Sequence, residues 1–80
     1  MNEYIAVFYS HFGAISYARA LQKQGIAAKP MPVPRKVSAS CGTCVRYAHS
    51  SYVEIDDCEL EAIYVKNGDA LECVLEIADE

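Results

Sequence analysis

The chain has 80 residues, with 11 acidic and 7 basic side chains, a formal charge of −4 and 52% hydrophobic residues. That length makes one domain, 1–80, near the lower limit for a single unstapled core, and the apolar half excludes a disordered chain. No apolar run approaches the roughly 18 to 20 residues needed to cross a bilayer, and the N-terminal stretch MNEYIAVFYSHFG carries an acid where a secretory signal carries cations. The expectation is a cytoplasmic domain with no membrane contact.

Tyr4-Ile-Ala-Val-Phe-Tyr9 is a continuous apolar, β-prone run and predicts a buried strand. Ser10 then caps a helix over about 12–24, with Ala14, Tyr17, Ala18 and Leu21 on its apolar face and Gly25 as a left-handed stop. Residues 26–33 are extended, but Pro30 and Pro32 remove ladder donors and push this segment to a sheet edge, and Pro34 ends it. A loop over 35–42 leads into a strand over about 43–48. Ser51 and Glu54 fit a capping box opening a second helix, on which Ile55, Cys58, Ala62 and Val65 form one stripe. Glu54, Asp56, Asp57, Glu59 and Glu61 would favour its N-terminal half, and Asn67-Gly68 would close it. Leu71, Cys73, Leu75 and Ile77 alternate with Glu72 and Glu76 as a final strand. The order βαββαβ favours an α+β ferredoxin-like sandwich, a four-stranded antiparallel sheet with two helices on one face. In that arrangement the first two strands end at the same edge, so the loop around Cys41 should lie beside Ser10-His11 and the start of the first helix.

The four cysteines fall into two types. Cys58 and Cys73 sit in periodic apolar segments, where a free cysteine acts as a small hydrophobe. Cys41 and Cys44 form a Cys-Gly-Thr-Cys pair among small residues. In a reducing compartment such a pair points to redox, metal or nucleophilic chemistry. Charge is uneven along the chain: residues 1–53 hold six bases and one acid, whereas 54–80 hold ten acids and one base. No acid interrupts 29–46, the window of Arg35, Lys36, Cys41, Cys44 and Arg46. A local positive potential there would lower a thiol pKa or attract an anion. The acidic total and the lack of a basic, aromatic-interleaved stripe argue against nucleic-acid binding.

The Cys-x-x-Cys spacing admits three uses. A thioredoxin-type pair belongs at a helix start, whereas here a strand follows. A zinc half-site would need His11 or His49 and further ligands that have no regular spacing in this chain. In the third use Cys41 carries a sulfur or selenium atom and Cys44 resolves the adduct. Ser40 and Gly42 flank the thiol, and Gly42 lets backbone N–H groups approach a ligand. His11 is a base or anion contact at the shared edge, and His49 a plain strand-end residue. The six tyrosines pack the sheet and helix. No phosphate-cradling loop, nucleophile elbow or carboxylate pair is present.

At Val33-Pro34-Arg35, followed by Ser38-Ala39-Ser40-Cys41-Gly42, the chain resembles a bacterial family of selenium/sulfur carrier protein-like domains. The opening strand followed by Ser10-His11-Phe12, a helix ending in Gly25-Ile26, and the closing Asn67-Gly68 are similar as well. The resemblance implies a compact α+β domain and a role in selenium or sulfur trafficking, with Cys41 as the family's cysteine. Cys44 departs from it, standing where a small or apolar residue is expected. The main expectation is a chalcogen carrier rather than a stand-alone enzyme. In it Cys41 bears the atom, Arg35 and Lys36 lower its pKa, Cys44 resolves, and Ser40, Gly42, His11 and Arg46 line the site. Donor and acceptor proteins dock around the loop, no bound cofactor is called for, and free sheet edges would allow a homodimer. The alternative is a binding module whose Cys41/Cys44 pair senses redox state or holds a metal.

Overall fold

The computed structural model describes residues 1–37, 39–56 and 58–77. Tyr4 to Phe8 are apolar on both faces of their strand and buried on both. Such a strand is stable only with neighbours on each side and cover above and below. The chain provides all four. Strand β1 (Asn2–Phe8) is the middle of a five-stranded antiparallel sheet of order β2-β3-β1-β4-β5, formed with β2 (Ala28–Pro32), β3 (Thr43–His49), β4 (Leu60–Asn67) and β5 (Ala70–Glu76).

One face is covered by helix α1 (His11–Lys23). Its buried residues Ala14, Tyr17, Ala18 and Leu21 pack against Tyr4, Ala6, Phe8, Val45, Tyr47 and Ile63. Ser10 caps the helix, its Oγ accepting from Gly13 N at 3.0 Å, and Gly25 leaves it with φ +82°. The other face is smaller, with Ile5, Val7, Cys44 and Ala62 covered by Val37 from the loop after β2. Pro30 and Pro32 lie on β2, at the edge of the sheet.

The ferredoxin-like expectation is wrong: among the described residues there is one helix, and the sheet has five strands rather than four. Residues 60–67, expected to end a second helix, form β4 instead, and Phe8 pairs with Leu60, Val7 with Ala62 and Ile5 with Tyr64. Two forces override the helical spacing. Ile63-Tyr64-Val65 is a β-branched and aromatic run that suits a pleated surface, and β1 needs a second neighbour. Ahead of it, the Val53 backbone is held by two buried tyrosines: its N–H donates to Tyr47 Oη at 3.0 Å and its carbonyl accepts from Tyr17 Oη. A carbonyl bonded this way is taken from a helical ladder. Asp57, assigned to that helix, lies outside the described residues. Asn67-Gly68 is not a helix stop but the start of a hairpin turn, with Asn67 opposite Ala70 and Gly68 at φ 60°.

Candidate functional site

Because β1 and β2 both run antiparallel to β3, they are parallel to each other and end at one edge of the sheet, where β3 and β4 begin. Helix α1 starts at the same edge. The loop bearing Cys41 arrives there and meets His11, whose Nδ1 lies 2.9 Å from Thr43 Oγ1. Cys41 Sγ lies 3.3 Å from the Thr43 carbonyl and can donate to it. Thr43 thus touches both the thiol-bearing residue and the imidazole. Cys41 is half-buried against the helix-side cluster.

The remaining neighbours at this edge are carboxylates. Glu61 accepts from Ser40 N at 2.9 Å and from Ser40 Oγ at 3.2 Å, which pins the residue before Cys41. Glu61 is the extra residue where the β1–β4 register shifts, so its side chain is free to reach the loop. Ser10 Oγ donates to Glu59, whose backbone at φ 54° also lets its carbonyl accept from Tyr9 N at 2.9 Å. A carboxylate at this position faces the positive end of α1. Gly13 permits the close approach, since its backbone lies directly against the Cys58 carbonyl. Sequence reasoning missed Thr43, Glu59 and Glu61. The signal for the two acids was obscured by their assignment to a helix, and Thr43 carried none.

Two of the expected cations go elsewhere. Lys36 Nζ donates to the Asp69 carbonyl in the β4–β5 turn, at the opposite edge of the sheet. Arg46 pairs with Glu3, also toward that edge. Arg35 and Gly42 are exposed in the loop. Ser38 of the expected motif lies outside the described residues.

The two close cysteines are separated by the sheet. Cys41 packs on the helix side, whereas Cys44 is 0% exposed among Ile5, Val7, Val37 and Ala62 on the other. Its Sγ faces the Pro32 carbonyl, and burial, followed by the charge of a Cys41 thiolate, pushes its pKa up. None of the four cysteines is in a disulfide; Cys58 is buried and Cys73 exposed on β5. His49 ends β3 at the opposite edge from His11. Among the described residues no three His, Cys, Asp or Glu side chains are grouped to hold a metal ion, and no helix is long and apolar enough to cross a membrane.

A family model described as "Putative Se/S carrier protein-like" matches residues 3–69. That span takes in β1, α1, the Cys41 loop, β3 and β4, and leaves out β5 with Cys73. Neither a curated protein nor a solved structure matches the chain.

Proposed function

The chain belongs to the Se/S carrier protein-like family, and from that premise we propose that it carries sulfur or selenium on Cys41 as a persulfide-type adduct. The observation that carries this reading is the sorting of the four thiols. Cys44 and Cys58 are buried, Cys73 lies outside the family match, and Cys41 stands half-exposed at a loop-rich edge beside polar groups.

In the proposed step the Cys41 thiolate attacks the terminal sulfur of a donor persulfide, R–S–SH. A new S–S bond forms at Cys41, the donor's S–S bond breaks, and the proton from Cys41 ends on the departing thiol R–SH. The transferred sulfur keeps its oxidation level, so no oxidant is consumed. A selenium atom in R–S–SeH moves in the same way. In this reading His11, whose Nδ1 meets Thr43 Oγ1, takes up that proton. Ser40, fixed by Glu61, sets the position of the residue it precedes. Donor and acceptor proteins would approach this edge, where Phe12 is 76% exposed next to His11.

Cys44 is buried in the cluster on the other face from the one Cys41 packs against, so we give it a packing role. The placement of the two thiols on opposite faces likewise lends no support to a Cys41/Cys44 redox or metal module.

The test is intact and peptide-mapped mass spectrometry before and after incubation with a low-molecular-weight persulfide, R–S–SH, or its selenium counterpart, R–S–SeH. One added sulfur or selenium on Cys41, removed by reductant, lost in Cys41→Ser and kept in Cys73→Ser, is the expected result. An adduct that persists in Cys41→Ser, or maps to Cys73, refutes the reading.

A further inference from the structure

We infer that the sheet face opposite α1 carries a binding site for a small amphipathic anion, a carboxylate or sulfonate on an apolar body. A cleft of about 300 Å³ opens there. Its floor is apolar, made by Ile5, Met31 and Leu71 beside the Val37 cluster. Its rim holds Lys36, Arg46 and Lys66, three of the chain's seven basic side chains, from three separate segments.

The charges around that floor are incompletely balanced. Glu3 pairs with Arg46. Lys36 donates to the Asp69 backbone carbonyl, which accepts a hydrogen bond without cancelling a charge. Lys66 has no ion pair among the described residues. Counting the Asp69 carboxylate, three cations face two acids, which leaves one positive charge over an apolar floor. A single anionic headgroup would balance it, and a chain or ring attached to that headgroup would cover the floor. The volume is at the small end of ligand pockets and suits about ten non-hydrogen atoms at ~30 Å³ each.

The site uses two residues, Lys36 and Arg46, that the run of bases in the sequence had suggested would surround Cys41. It stands independently of the carrier reading, because no thiol takes part.

The experiment is a titration of the ¹⁵N-labelled full chain followed by amide chemical shifts, with octanoate, octylamine and inorganic phosphate as separate probes. Saturable shifts are expected with octanoate at the amides of Ile5, Met31, Lys36, Lys66 and Leu71. Octylamine should give none and phosphate only weak ones. Lys66→Glu and Lys36→Glu, each checked for native spectral dispersion, should weaken octanoate by about tenfold, the loss of one charged hydrogen bond. Equal binding of octylamine overturns the charge argument, and equal binding of phosphate overturns the apolar one. Shifts confined to the Cys41 edge, or no saturation up to about 10 mM, a dissociation constant too weak for a built site, overturn the assignment altogether.

Discussion

Gly13→Ala should destabilise the protein, although the same change within a helix ordinarily stabilises it by about 1 kcal/mol. A Cβ on Gly13 would lie 2.0 Å from the Cys58 carbonyl oxygen, 2.9 Å from its carbon and 3.1 Å from Glu59 Cβ. Ordinary contact begins near 3.4 Å, so the two backbones must separate by more than an ångström, and neither is the end of a flexible side chain. Moving them strains the Tyr9 N to Glu59 O bond and the seat of Ser10 between Gly13 and Glu59. Overpacking of this kind costs about 1–3 kcal/mol and sometimes more. The 2.0 Å approach to backbone puts this case at the upper end, so after the propensity gain a net loss of about 2 kcal/mol is expected, which lowers Tm by about 10 °C for a domain of this size. Urea unfolding at 25 °C with an unchanged m-value, together with a thermal melt, measures it. Gly25→Ala is the control: it has open space around its Cβ but φ +82°, so only the backbone cost of about 1 kcal/mol applies. If Gly13→Ala proved as stable as the parent, or more so, the packing of α1 on the 58–59 backbone would be wrong.

Tyr17→Phe should cost about 1–3 kcal/mol in urea unfolding, because the Val53 carbonyl and the Tyr47 hydroxyl lose a buried partner. Stability should fall as pH rises above the ordinary tyrosine value of 10.0, because burial raises the pKa values of Tyr17 and Tyr47 and the unfolded chain gives up their protons first. Each such group contributes about 1.4 kcal/mol per pH unit, and a pH series in which Tyr17→Phe kept the full slope would refute this. Iodoacetamide with peptide mapping should label Cys73 and Cys41 in the native protein and spare Cys44 and Cys58 until denaturant is added; early labelling of Cys44 would contradict its place beneath Val37.

The parts of the fold that could be read from the sequence rest on local chemistry. Ser10 as cap, the apolar face through Ala14, Tyr17, Ala18 and Leu21, and Gly25 as stop all act within one helix, and α1 uses each of them. Pro30 and Pro32 mark an edge strand because the missing N–H groups are a property of the residues themselves. The second helix failed because Ile55, Cys58, Ala62 and Val65 satisfy a helical period about as well as Leu60 to Val65 satisfy a strand. The decision came from β1, more than fifty residues upstream, and from the tyrosines that hold Val53. Ile63-Tyr64-Val65 followed by Gly68-Asp69 was the overlooked local sign of a strand and a two-residue turn. At the site, the meeting of the Cys41 loop with His11 followed from strand direction alone. The surroundings of the thiol did not, since closeness in sequence says nothing about which face a side chain takes. Cys44 and Arg46, two residues apart on β3, share one face, while Cys41 packs toward the other.

That division changes what the basic window is for. A carrier thiol does not gain without limit from nearby cations, because stabilising the thiolate also makes it a weaker nucleophile, and a carrier must both accept its atom and part with it. At the edge where Cys41 emerges the chain places a threonine, a histidine, a serine and two carboxylates, groups that position and exchange protons rather than hold an anion fast. The acids of the C-terminal half supply both carboxylates, so the negative part of the sequence folds onto the edge where the thiol emerges. If the carrier proposal holds, a partner reaching this edge meets an exposed Phe12 and acidic neighbours, and a surface with cations around an apolar hollow would complement it. Lys36 and Arg46 are turned to the opposite face, at the rim of the cleft above Ile5.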